Sequence, residues 1–240
     1  MMAVMHVDAA DAARHLRDQW TSLDRWLRDL GGTLDQAADR ASVLDGWSLG
    51  ELVSHLGQVW ETLARCEPAP PGTVPLNLAE YLGTYPDRAE EITAATRAMD
   101  ARLAPHRLAG VEELAAQGLA RLDGLAGETA VLARRGPITP HDMVVSRLVE
   151  LVVHADDLAR SFPGVVAVPV VPRALDVVAD ELLRVVVARG GWSLEVQDPV
   201  LWVRLAAGRV PYDVDVLARA LVPVHTSEAV PDLGRMLPLL

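Results

Sequence analysis

Apolar residues recur at a helical interval in one stretch of this chain after another, and most stretches carry their own start or stop signal. Leu16, Trp20, Leu23, Leu27 and Leu30 line one face of a helix over residues 8–30, which Gly31 and Gly32 end. A capping box, Ser48-Leu49-Gly50-Glu51, opens a second helix that runs to about Arg65. Its stripe is Leu49, Leu52, Val53, Leu56, Val59 and Leu63. Pro68, Pro70, Pro71, Gly72 and Pro75 then force a loop crossover. Helical material resumes over 87–103 and 111–125, broken near Pro105, and residues 129–135 read as a short extended piece. Thr139 as N-cap, Pro140 at the first helical position and Asp142 in the first turn start a further helix to about Arg160. Pro163-Gly164 closes it. The pattern predicts a mainly α protein: a four-helix bundle over residues 1–162 and a small, mostly helical C-terminal region over 163–240. That region reads as a helix over 173–189, a short strand over 194–196, short helices over 199–207 and 214–221, and a tail with no clear period.

Composition narrows the function classes. Half of the 240 residues are hydrophobic and 23% are charged, which excludes a disordered chain and allows a sizeable core. The formal net charge of -11 and the scarcity of Phe and Tyr argue against a nucleic-acid partner. All 22 basic residues are Arg, so no mechanism can use a Schiff-base or P-loop lysine. The single cysteine, Cys66, allows no internal disulfide and no Cys-rich zinc site. Charged residues come too early at the N-terminus for a signal-peptide core, and the longest apolar stretch, Val165–Val171, is far too short to span a bilayer. The expectation is a soluble, cytoplasmic protein with no membrane partner.

One helix carries an unusual polar stripe. Arg147, Glu150, His154 and Asp157 follow one another at spacings of 3, 4 and 3, flanked by Leu148, Leu151, Val152, Ala155 and Leu158. Glu150 and His154 project from one face, about 6 Å apart along the axis. A carboxylate and an imidazole inside a bundle are costly unless paired or metal-bound. His55 sits among Leu52, Leu56 and Val59 on the second helix and converges with them if the two helices are neighbours. Two histidines and one carboxylate with an open fourth position make the ligand set of a catalytic zinc site. The residues alone leave alternatives open. Glu150 and His154 also read as an ordinary i,i+4 ion pair, and His55 as a hydrogen-bonded core residue. Arg147 reads as a salt-bridge partner of Glu150 or Asp157, or as a catalytic group if the site is real. Asp157 reads as an acceptor for a ligand imidazole or as a surface carboxylate. Cys66, about 16 Å along the helix from His55, reads as a buried structural thiol. His6, His15, His106, His141 and His225 read as surface residues.

Gly46-Trp47-Ser48-Leu49-Gly50-Glu51-Leu52-Val53-Ser54-His55-Leu56 resembles a signature of the mycothiol-dependent maleylpyruvate isomerase family: Gly-Trp-Thr/Ser, two residues, Asp/Glu-Leu, two residues, His-Leu. Arg147 to Leu158 is similar to the family's second signature, which sets Arg, Glu, His and Asp-Leu at the same spacings. The resemblance covers roughly residues 8–162. It implies a DinB-like bundle and a divalent metal, usually zinc, held by His55, Glu150 and His154. It also implies mycothiol as a thiol cosubstrate whose thiolate attacks a small electrophile, by cis–trans isomerisation or by S-transfer. The family's C-terminal sterol-carrier-like domain is reduced here to a short region. Within it, Val203 to Arg209 is similar to the family's Leu-x-x-Gly-Arg stretch, so Arg209, rather than Arg204, is the expected substrate-carboxylate residue. Together with Arg147 it completes the candidate catalytic set. Such bundles are monomers or homodimers. Two other readings stand beside this one. The same ligand set forms the facial triad of non-haem iron oxygenases, usually on β-scaffolds. A bundle with a cut-down C-terminal region also suits a non-catalytic, metal-stabilised binding protein.

Overall fold

Each long helix forms where a side chain caps its first turn or where periodic leucines and valines give it a buried face. In a computed structural model, which describes residues 8–225 and 229–240, α1 spans Ala9–Leu30, with the Asp8 carboxylate accepting from the Asp11 amide. Gly31, at φ 50°, breaks its direction. The chain then makes one further turn, α2 (Gly32–Gln36), where the glycine pair suggested only loop. Residues 40–49 fold back on themselves. The Ser42 amide donates to the Trp47 carbonyl at 2.9 Å and the Leu49 amide to that of Arg40 at 2.8 Å. Gly46, at φ 77°, supplies the left-handed residue the turn needs. α3 (Leu49–Ala64) starts from the expected capping box: the Glu51 amide donates to Ser48 Oγ at 3.1 Å and the Ser48 amide to Glu51 Oε2 at 2.7 Å.

After β1 (Glu67–Pro68) come α4 (Leu78–Leu82), a 3-10 turn (Pro86–Arg88), α5 (Ala89–Leu103) and α6 (Arg107–Gly124). The expected break near Pro105 is present, but α6 starts four residues earlier than its apolar period suggested. β2 (Val131–Ala133) lies inside the predicted extended piece and pairs with β1 and with β3 (Gly136–Ile138) in an antiparallel sheet of order β1-β2-β3. Ala133 pairs with Gly136, so Arg134 and Arg135 form the two-residue tip of a hairpin. α7 (Pro140–Ser161) opens on Thr139, whose Oγ1 accepts from the Asp142 amide at 3.0 Å.

α1, α3, α6 and α7 form the bundle, with α5 laid against α3 and α4 against α7. α3 and α6 approach closely because Gly118 has no side chain: a Cβ there would lie 3.0 Å from the Trp60 ring and 3.1 Å from its carbonyl oxygen. The C-terminal region consists of α8 (Pro172–Gly190), β4 (Leu194–Val196), α9 (Pro199–Ala206), α10 (Val214–Ala220) and β5 (Leu221–Pro223). β5 pairs antiparallel with β4; it starts at Leu221, the last residue of the expected short helix, and ends where the tail without a clear period begins. α8 packs on α1 and α7, and one hydrophobic cluster runs from Ala12 to Leu239. The segment joining α7 to α8 is clamped by α1. Fully buried Gln19 donates to the Pro169 carbonyl and accepts from the Val171 amide, both at 2.9 Å, and Trp26 donates to the Ala167 carbonyl at 2.7 Å. Among the described residues no helix is long and apolar enough to cross a membrane.

Candidate metal centre

α7 turns Glu150 and His154 toward α3, and α3 turns His55 toward them. Glu150 Oε2 lies 3.2 Å from His154 Nε2 and 3.6 Å from His55 Nε2. One ligand atom from each of the three residues falls within 4.8 Å of the others. The imidazole rings meet edge to face, 4.7 Å between centroids. Both histidines are buried.

The other ring nitrogens are held so that the Nε2 atoms face the centre. Thr96 on α5 gives its one hydroxyl proton to the Ile92 carbonyl at 2.9 Å, so its oxygen accepts from His55 Nδ1–H at 3.0 Å and from Gln58 at 2.9 Å. That fixes the His55 tautomer and leaves Nε2 with a free lone pair. His154 Nδ1–H donates to Asp157 Oδ2 at 3.1 Å. Asp157, fully buried, also accepts from Arg209 Nε at 3.0 Å and 3.1 Å. Of the two roles open to Asp157, the structure displays acceptor for an imidazole.

The two histidines differ electrostatically. Burial disfavours the His55 imidazolium more than Glu150 favours it, and its pKa falls to about 4. Burial opposes the His154 imidazolium as well, but the Asp157 and Glu150 carboxylates outweigh it and raise that pKa above the usual 6.5. Burial would push Glu150 up; hydrogen bonds from His154 and His55, with the Arg147 charge, hold it well below the usual carboxylate range. The Asp157 and Glu150 carboxylates thus favour positive charge at His154, and the Glu150 carboxylate faces the centre as an anion. The residues fit a divalent metal: two Nε2 atoms and one carboxylate converge, and each imidazole is oriented through its far nitrogen.

The centre forms part of the wall of a cleft of about 570 Å³. Trp47 covers one side, its ring 4.9 Å from His55 and 6.4 Å from His154, nearly parallel to the latter. Arginines surround the rest: Arg88, Arg134, Arg135, Arg147, Arg160 and Arg209. Arg209 reaches the cleft, as expected, with Nη1 on the Ala207 carbonyl at 2.8 Å. Arg204 does not line it and instead makes a two-pronged pair with Asp156 at 2.7 Å and 2.8 Å. Arg147 lines the cleft without becoming the salt-bridge partner of Glu150 or Asp157. Glu150 is turned to the histidines, and Arg147 Nη2 donates to the Tyr85 hydroxyl at 2.8 Å. Cys66 is buried, with Sγ on the Thr62 carbonyl at 3.3 Å, and burial pushes its thiol up to about 11. His106 and His225 are exposed and His15 and His141 half-buried, none of them lining the cleft, whereas His6 lies outside the described residues.

The sequence comparison meets this geometry directly. Residues 16–159 match the family described as mycothiol maleylpyruvate isomerase N-terminal domain. The chain belongs to that family. The match covers both signatures and so all three residues of the centre. Two solved structures share the fold at TM-score 0.53: a mycothiol-dependent maleylpyruvate isomerase, 18% identical, and a histidine-to-alanine mutant described in the same words, 16% identical. Each likeness covers 83% of this chain and 80% of the other, more than residues 1–162 alone supply. No curated protein matches. The maleylpyruvate isomerase signatures account for Trp47, although its motif position gave no hint that it stacks beside the histidines. They do not contain Thr96, Tyr81, Tyr85 or Arg135. Those residues come from α4 and the loop that follows it, from α5 and from the β2–β3 hairpin, where no local pattern marks them.

Proposed function

We propose that this chain is a metal-dependent enzyme that uses mycothiol to isomerise a small electrophile of the maleylpyruvate kind. The observation that supports this most is the convergence of His55, Glu150 and His154 on a cleft whose volume suits a small ligand. His55 Nε2, His154 Nε2 and the Glu150 carboxylate would hold the metal, and this donor set suits zinc. A zinc ion there supplies the positive charge that lowers a thiol's pKa, so that thiolate is present at neutral pH.

The chain's one thiol is not placed to attack: Cys66, just past the end of α3, is buried away from the cleft with a raised pKa. The incoming thiolate forms a C–S bond to the activated double bond as the π bond breaks. The electron pair moves onto the conjugated carbonyl oxygen. Rotation about the new single bond follows; the pair then returns, the double bond re-forms in the trans sense and the thiolate leaves. No proton is gained or lost. S-transfer shares the first step and ends instead with protonation of the adjacent carbon. Arg209 and Arg147 are the cations we assign to the substrate, Arg209 being anchored on Asp157 while it faces the cleft. Trp47 shields the centre from water on one side.

The test is elemental analysis with a thiol-dependent assay, wild type beside His154→Ala. The expected result is about one equivalent of metal in wild type, lost in the variant, and isomerisation of maleylpyruvate only when mycothiol is present. Turnover without thiol would refute the thiol; absence of metal uptake by wild type would refute the metal.

A further inference from the structure

Two arginines at one end of the cleft, Arg135 and Arg147, have no carboxylate in ion-pair contact among the described residues. Arg147 is only 3% exposed, and its partners are the Tyr85 hydroxyl at 2.8 Å and Ser146 Oγ at 3.3 Å. Among the described residues it forms no ion pair. Arg135, at the tip of the β2–β3 hairpin, lies across the ring of the same tyrosine, its guanidinium carbon 3.7 Å from the centroid and 5.6 Å from that of Tyr81. It too forms no ion pair among the described residues. Arg135 Nη1 and the Tyr81 hydroxyl are buried with no hydrogen-bond partner. Arg135, Arg147, Tyr81 and Tyr85 all line the cleft. Tyr85 does not neutralise the pair, since burial pushes its phenol pKa up.

Buried guanidiniums and orphaned donors are costly when nothing accepts from them. The same groups facing a cavity form a receptor. We propose that Arg135, Arg147 and the Tyr81 hydroxyl are an oxyanion subsite that takes the carboxylate of a small organic acid. The guanidinium fork matches a planar carboxylate. Among the described residues that line the cleft the orphaned donors number two, Arg135 Nη1 and Tyr81 Oη, one for each carboxylate oxygen. A phosphate would bring a further oxygen, and usually a second charge, for which no orphaned donor is present. Arg147 precedes Glu150 by one turn of α7, so an acid held here places its next carbons toward the metal-binding residues. Arg209 meets the stripe at its other end, at Asp157. This inference rests on the cleft being the site for a small electrophile of the maleylpyruvate kind, and adds Arg135 and Tyr81 to Arg147 as the residues that hold one of its acid groups.

The test is calorimetric titration of the protein as purified with crotonate, a small unsaturated monocarboxylate that cannot chelate, and separately with inorganic phosphate. Wild type is compared with Arg135→Gln, Arg147→Gln and Tyr81→Phe, with metal content measured for each. The expected result is crotonate binding weakened at least about tenfold in both arginine variants and about threefold in Tyr81→Phe, at unchanged metal content. Should Arg147→Gln fail to fold, Arg135→Gln and Tyr81→Phe decide, because one lies on a hairpin tip and the other keeps its ring. Crotonate affinity within about twofold of wild type in Arg135→Gln would overturn the subsite. So would wild type that binds no crotonate, or that binds phosphate in its place. Loss of crotonate binding in Arg135→Gln supports the subsite even where no thiol-dependent turnover is found, so the two readings fail separately.

Discussion

The α3 side and the α7 side of the cleft each present one histidine, and they hold it by different means. His55 leans on Thr96, a neutral acceptor, whereas His154 leans on Asp157, an ionised one that is itself held by Arg209. Burial is similar on both sides, yet one pKa falls and the other rises. The partner at the far nitrogen, not the depth of burial, sets the character of each imidazole. His55 is neutral at any pH near 7, ready to donate a lone pair. His154, with two carboxylates beside it, is the more basic donor.

The largest expected effect pulls these two apart by pH, in chelator-treated, metal-free protein. The folded pKa of His55, about 4, lies below its unfolded 6.5, so folding loses stability as pH falls through that window. His55→Gln removes the loss, and its stability relative to wild type should improve by roughly 3 kcal/mol between pH 7 and pH 4. The folded pKa of His154 is raised, so its contribution is fully present below 6.5 and lost as pH rises through the raised value. The stability of His154→Gln relative to wild type should therefore worsen as pH falls through the raised value to 6.5, and stay level below it. Urea titrations check both, read below pH 6.5 for His55→Gln and above pH 6.5 for His154→Gln, and slopes of the same sign in the two windows would break the comparison.

Next comes the far-nitrogen partner on the α7 side. Asp157→Asn should weaken metal binding about 10–100-fold, read by competition with a chelator, and shift the acid limb of metal uptake to lower pH. Thr96→Val, the matching change on the α3 side, removes a neutral acceptor and should cost less, within about tenfold. Equal losses would show that the two sides do the same job. The smallest expected effect is at the end of α3. Cys66→Ser should leave thiol-dependent turnover unchanged, and iodoacetamide at neutral pH should leave Cys66 unmodified.

Much of this arrangement is legible in the chain. The caps at Ser48 and Thr139 are local chemistry and locate α3 and α7 closely. The stripe from Arg147 to Asp157 follows from helical spacing, and His55 joins it because amphipathic neighbours must share a core. What escaped reading is short or assembled from afar. β1 spans two residues and β3 three, too few for a period, and α4 hides its Asn77–Glu80 capping box behind a proline-rich run. Tyr85 and Arg147 are 62 positions apart, and Thr96 is 41 from His55; only packing brings such pairs together. The salt-bridge expectation for Arg147 failed for a related reason. Spacing tells which residues share a face, but a longer side chain on that face turns to whatever lies opposite, here a tyrosine from α4's trailing loop.

The corner after α9 has one more implication. Arg209 grips Asp157, and Asp157 grips His154, so the C-terminal region is wired to the centre through two contacts. Free-energy coupling is reciprocal. Whatever occupies the centre tightens the hold on that corner by as much as the corner tightens the hold on its occupant. The stretch around Gly208 and Arg209 is thus a gauge of metal occupancy, with its amide exchange slowing on loading although none of the three metal-holding residues belongs to it.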